Sequence, residues 1–165
     1  MNISEIYNKH SELVANETTI LACSGKCNKC CYQLVTCSRT EYKLIDEYLT
    51  TNKLFGLIAN RESKLISKWK EYKYINYNEF KYNPTKPLID YEGKKCIFLN
   101  RFGLCDIYPV RPMNCRTVTS TKKCNSLYEP EATRFRFNFE KELTEKIWNI
   151  DNINLGLIDL FIGIK

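Results

Sequence analysis

Seven of the nine cysteines fall in two tight blocks. The first is Cys23-Ser-Gly-Lys-Cys27-Asn-Lys-Cys30-Cys31; the second contains Cys96, Cys105 and Cys115 and ends in Arg111-Pro-Met-Asn-Cys115-Arg116. Thiolate sulfur is a soft ligand, and clustered thiolates select Zn²⁺ or iron–sulfur clusters. Cys27-Asn-Lys-Cys30 has the two-residue gap found in zinc knuckles and in cluster-binding loops alike. Cys23 upstream, Cys31 alongside and a second block downstream make that spacing a strong signal. Neighbouring side chains diverge on a strand and on a helix, so Cys30 and Cys31 do not readily serve one small tetrahedral ion. Either one of them ligates while the other packs nearby, or the two serve two metals or two corners of a larger cluster. In the second group, eight, nine and eight residues separate Cys96, Cys105, Cys115 and Cys124.

Bulk properties favour metal over disulfides. The N-terminus shows no basic segment followed by an apolar stretch, and no apolar run reaches the roughly 18–20 residues that cross a bilayer. A cytoplasmic location is the expectation, where thiols stay reduced. An odd number of cysteines also fits a closed disulfide framework poorly. The formal charge is +6, from 25 basic and 19 acidic residues. Lys26, Lys29, Arg101, Arg111, Arg116, Lys122 and Lys123 lie close to cysteines, where they offset an anionic centre and favour thiolates. No block of like charge stands out, which disfavours nucleic acid as the partner.

The elements that position these cysteines can be read from periodicity. A helix over residues 4–20, with Ile6, Leu13, Val14 and Ile20 inward, delivers the chain to the first block. Ser38-Arg-Thr-Glu41 matches a capping box and opens a helix carrying Tyr42, Ile45, Tyr48 and Leu49. One longer helix is expected over residues 53–72, with Leu54, Leu57, Ile58, Leu65 and Trp69 on its inner side and Lys64, Lys68 and Lys70 in water. Residues 74–95 read as a loop that brings the second block over the first. Cys96-Ile-Phe-Leu99 and Leu104-Cys-Asp-Ile-Tyr108 predict a hairpin around Asn100-Arg-Phe-Gly103, with glycine supplying a positive φ. A helix can start at Pro112. Alternation of Phe135, Phe137 and Phe139 with polar residues predicts a half-buried strand, and apolar residues 154–164 predict a helix docked on the core.

Other chemistry is sparse. Arg111 and Arg116 are candidates to hold an anionic substrate or a cluster's charge, although hydrogen bonds to loop carbonyls are the simpler expectation. Tyr108 is expected to pack, and His10, the single histidine, to lie on the surface. No Ser/His/Asp set is available. Cys23-x-x-x-Cys27-x-x-Cys30 also fits the spacing of radical S-adenosylmethionine enzymes. Those enzymes use a partial (β/α) barrel, and the residues after the motif show no alternation of strands and helices.

The whole constellation resembles the YkgJ-type cysteine-cluster family, the zinc- or iron-chelating domains named for their CxxCxxCC motif. The likeness covers residues 23–31 and 96–116, and departs from the pattern where three residues rather than two separate Cys23 from Cys27. It implies about eight metal-linked cysteines: Cys23, Cys27, Cys30, Cys31, Cys96, Cys105, Cys115 and, as the eighth, Cys124. Cys37 is left over as a buried small hydrophobe. The fold expected is a small helix-rich α+β single domain over residues 1–165, with a short β-hairpin and a cysteine-lined metal site. Three uses are compatible with it. One is a structural centre of zinc or an iron–sulfur cluster. Another is a [4Fe–4S]-dependent enzyme, since flagellin lysine-N-methylase is a relative of the family and implies an S-adenosylmethionine-using protein methylase. The third is a zinc-shaped module that binds protein or RNA.

Overall fold

The computed structural model describes residues 2–16, 27–83, 86–118, 120–122, 124, 134–151 and 155–163, without the side chains of Phe80 and Lys81. Helix α1 spans Ile3–Ala15 and begins at a capping box, in which Asn2 accepts from the Glu5 N–H while Glu5 accepts from the Asn2 N–H. The predicted continuation to residue 20 lies outside the described residues. Ser38 and Glu41 form the expected box at the start of α2, Arg39–Thr51; each such cap contributes about 1 kcal/mol. The longer helix predicted next is two helices, α3 over Leu54–Arg61 and α4 over Ser63–Ile75. The break falls at Glu62, whose buried carboxylate takes Arg61 Nε at 2.7 Å and Lys95 Nζ at 2.8 Å. The turn swings the inner face, so Leu57 is 66% exposed rather than inward.

The expected loop over 74–95 contains two short helices, α5 over Tyr77–Tyr82 and α6 over Lys86–Asp90. Helix α7, Met113–Arg116, follows Pro112 as its N-cap, as the sequence predicts. Residues 134–150 correct the strand expectation. They form helix α8, Arg134–Ile150, whose buried positions Arg136, Glu140, Leu143 and Ile147 recur at helical spacing. Phe135 and Phe137 face outward, and their alternation is incidental.

A two-stranded antiparallel sheet pairs β1, Thr36–Cys37, with β2, Leu155–Gly156, in the register Thr36 to Gly156 and Cys37 to Leu155. The docked C-terminal segment is thus a strand followed by a 3₁₀ turn, Leu157–Phe161, and not an α-helix. The hairpin predicted in the second cysteine block reduces to one bridge, Leu99 to Cys105. The fold is a helix-rich α+β arrangement, and no described helix is long and apolar enough to cross a membrane.

Two apolar clusters hold it together. The larger joins Ile45 and Leu49 of α2, Ile58 of α3 and Trp69 of α4 to Ile97, Phe98, Ile107 and the Leu157–Leu160 turn. The smaller joins Ile6 and Tyr7 of α1 to Met113, Leu143 and Ile147. His10 is another correction: it is buried between α1 and α8, with Nε2 at 3.0 Å from Glu140 Oε1. Its neighbours in sequence are polar, but a residue on the α1 face turned to α8 is covered whatever flanks it.

Candidate metal centre

The first block enters the described structure at Cys27, which is exposed, and Lys29–Cys31 form a single 3₁₀ turn. Cys23 lies outside the described residues. Backbone hydrogen bonds then fasten this turn to the second block. The Cys96 N–H donates to the Cys31 carbonyl at 2.6 Å, and the Gly93 N–H to the Tyr32 carbonyl at 2.9 Å. Residues 31 and 96 are thereby in register without belonging to a sheet.

The second block is shaped by Asn100. Its Oδ1 accepts from the N–H groups of Phe102 and Leu104 at 2.9 and 3.1 Å, and its Nδ2 donates to Asp106 at 2.9 Å. The turn closes at Gly103 with φ of 76°, where a Cβ would stand 2.9 Å from Asn28 Nδ2 of the first block. The positive φ favours glycine, and a Cβ here would also make the Asn28 amide shift. Arg61 ties the outside of the turn down, donating to Asp106 at 2.7 Å and to the Ile97 carbonyl at 3.1 Å. Cys96 and Cys105 therefore flank a rigid turn whose inner side packs on the larger core cluster.

Five thiols gather where these pieces meet. Cys31 lies within electrostatic reach of Cys30, Cys96 and Cys105, and Cys115 within reach of Cys30, Cys96 and Cys105. Burial pushes the Cys96 thiol up to about 12 and raises Cys105 and Cys115 as well. Interaction within the adjacent pair lowers Cys30 and, together with burial, raises Cys31. No three His, Cys, Asp or Glu side chains among the described residues stand at metal-binding geometry. What the five share is the range over which their charges interact, and their donor chemistry fits an all-sulfur centre.

The remaining cysteines separate. The Cys124 backbone carbonyl is drawn to the first block by Lys29 Nζ at 2.7 Å, while its thiol faces the Lys122 carbonyl at 3.9 Å. Cys37 is 1% exposed in the core, its thiol raised by burial and then by Glu41, Asp151 and Asp159.

The two arginines have different surroundings. Arg116 donates from Nε to the Arg111 carbonyl at 2.9 Å and from Nη2 to the Pro109 carbonyl at 2.7 Å, and lies 4.0 Å over the Tyr7 ring. It caps the loop, as the simpler expectation has it. Arg111 stacks 4.0 Å over the half-exposed Tyr108 ring and acts on the charge of Cys30, Cys105 and Cys115. Tyr108 is therefore a platform for Arg111 and is 55% exposed rather than packed.

One structural residue near the site escaped the sequence reading in part. Glu41 closes the α2 capping box and also accepts from the Met113 N–H at 2.7 Å and the Tyr7 hydroxyl at 3.0 Å. It thereby joins α1 and α2 to the helix that carries Cys115. A cleft lined by Ser38, Glu41, Met113, Asn114, Thr144, Ile147 and Trp148 holds about 10 Å³, room for a water at most. No block cysteine lines it.

A thiol-rich centre built from two sequence blocks defines the class. The family model CxxCxxCC, described as "Putative zinc- or iron-chelating domain", matches residues 22–142, and the chain belongs to that family. No curated protein and no solved structure matches the chain.

Proposed function

We propose that this chain is a one-domain metal-binding protein whose two cysteine blocks together hold a polynuclear thiolate centre of zinc or of iron and sulfide. The reading is supported by Cys30, Cys31, Cys96, Cys105 and Cys115 of both blocks lying within electrostatic range of one another, with the Cys96 N–H bonded to the Cys31 carbonyl and Cys37 left in the core. Cys23, Cys27 and Cys124 complete the proposed ligand set. Five or more thiols exceed the four that one tetrahedral zinc ion takes. The excess favours two ions or a cluster. Bound metal would contribute folding free energy by pinning the first block, half exposed in its 3₁₀ turn, to the buried second block.

The experiment is anaerobic purification with quantification of zinc, iron and acid-labile sulfide, together with a visible spectrum. Two zinc ions per chain, or iron and sulfide with a visible absorption band, support a polynuclear centre. One zinc ion per chain would sink that part of the reading. Protein free of metal and holding intact disulfides would overturn all of it.

A further inference from the structure

We infer that Arg61, which lies outside both cysteine blocks, is a positioning residue of the metal centre: its guanidinium staples the arm carrying Cys96 to the arm carrying Cys105. The inference rests on the metal-centre reading. One guanidinium reaches both arms. Nη2 donates to the carbonyl of Ile97, next to Cys96, at 3.1 Å, and Nη1 donates to Oδ2 of Asp106, next to Cys105, at 2.7 Å. Nε donates to Glu62 Oε1 at 2.7 Å, and the same oxygen accepts from Lys95 Nζ at 2.8 Å. Both chain neighbours of Cys96, and the residue after Cys105, are therefore held by two consecutive residues where α3 meets α4.

Backbone pairing between the arms is short. It comprises the bridge from Leu99 to Cys105, with the Asp106 N–H on the Phe98 carbonyl and the Asn100 N–H on the Leu104 carbonyl, both at 2.9 Å. A two-stranded pairing of this kind is marginal by itself. Asn100 fixes the tip of the turn, and Arg61 joins the arms at their other end, beside Cys96 and Cys105 in the chain. The staple has a firm root, because Ile58, one turn earlier on α3, is buried in the larger core cluster. Exposed ion pairs contribute little, but Glu62 is buried, Asp106 is partly so, and a backbone carbonyl is engaged as well. A guanidinium suits the task because its donors stand in a fixed fork, which a lysine ammonium lacks. The two arms thus form a half-site set before metal arrives. Loosening it makes binding bear the cost of ordering the ligands. Arg61 itself binds no metal.

Amide hydrogen exchange and cobalt(II) titration test this on the reduced full chain, in wild type, Arg61→Met and Arg61→Lys. In the metal-free wild type the Leu99 and Asp106 N–H groups are expected to be protected. In Arg61→Met they exchange faster, while the amides of α8 do not change. Cobalt is titrated against a competing chelator under conditions where each variant is folded. Arg61→Met is expected to bind it about tenfold more weakly, the low end of what losing an outer-shell partner costs. Arg61→Lys keeps a cation for Asp106 but loses the fork, and recovers part of the affinity. A purely structural Arg61 would lower the urea midpoint and leave the cobalt affinity of the folded chain unchanged. That result in Arg61→Met would overturn the inference, as would unprotected Leu99 and Asp106 amides in the metal-free wild type. Should Arg61→Met not fold, wild-type cobalt affinity in Arg61→Lys would overturn it equally. A wild type that takes up no cobalt would overturn the metal-centre reading, and this inference with it.

Discussion

Glu41 is where a small change should be felt farthest. Its carboxylate is buried and accepts three hydrogen bonds: from the Ser38 N–H at 2.9 Å, the Met113 N–H at 2.7 Å and the Tyr7 hydroxyl at 3.0 Å. Glu41→Gln keeps the shape but leaves one acceptor oxygen where there were two. If that oxygen stays with Met113 and Tyr7, the new amide turns its N–H toward the Ser38 N–H, donor against donor. A lost charge-assisted bond costs about 1.5–3 kcal/mol and an unsatisfied buried donor about 1–3, so about 2.5–6 kcal/mol is expected. That is a large share of the about 5–15 kcal/mol of an ordinary domain. Tyr7→Phe removes one donor to that carboxylate and should cost about 1.5–3 kcal/mol. The assay is urea unfolding of the reduced, metal-free protein by circular dichroism, with the midpoint moving and the slope unchanged. A double-mutant cycle should return a coupling of at least about 0.5 kcal/mol between the two sites. Glu41→Gln within 1 kcal/mol of wild type would refute the idea that this carboxylate joins α1, α2 and α7.

Cys115→Ser should abolish or halve metal uptake, whereas Cys37→Ser should leave metal content unchanged and lower stability by about 1–3 kcal/mol through a buried hydroxyl; metal analysis beside thermal melts separates the two. Gly103→Ala should cost about 1–2 kcal/mol, because its φ of 76° is strained for any Cβ while the Asn28 amide can yield; denaturant midpoints measure it. The Tyr7 hydroxyl is raised above its ordinary value of 10.0, first by burial and then by the Glu41 carboxylate. The folded chain thus retains a proton that the unfolded chain sheds near pH 10, so this stability is complete below pH 10 and declines above it; a pH series on wild type and Tyr7→Phe should show the shallower alkaline slope in the variant. Because Cys96, Cys105 and Cys115 are raised, metal loading near pH 7 should release protons and tighten as pH rises; calorimetry in buffers of different ionisation enthalpy counts them.

The parts of the molecule legible in the sequence are those governed by local spacing. Ser38 and Glu41 lie three residues apart, and the cap they form needs nothing distant. The cysteine blocks are also local, and Gly103 does take the positive φ that its turn requires. Misreadings arose where a distant partner decided the outcome. Arg136 occupies the inner face of α8 fully buried, so a charged residue interrupts the apolar stripe that would have announced a helix. The helix breaks at Glu62, whose carboxylate pairs with Lys95 far along the chain, a partner no local pattern announces. His10 is covered by α8, and its exposure could not be judged before that helix was recognised. Asn2 and Glu5 form a capping box with the same local spacing, which the helix read from residue 4 passes over. At the site, the fastening of the first block to the second depends on the backbone bond between residues 31 and 96, a long-range pairing that no local spacing announces.

The hydrogen bond from the Cys96 N–H to the Cys31 carbonyl makes the chain between them a closed excursion that leaves the site and returns to it. For flexible chain, the entropy cost of such closure grows only with the logarithm of length, about 0.6 kcal/mol for each doubling. Helices α2 to α4 stiffen most of that excursion, whereas α5 and α6 are single short turns with exposed Tyr77, Tyr82 and Ile89. Residues inserted between α5 and α6 would lengthen the excursion without moving either end. The spacer between the two blocks is therefore free to drift in length while both of its ends stay at the site.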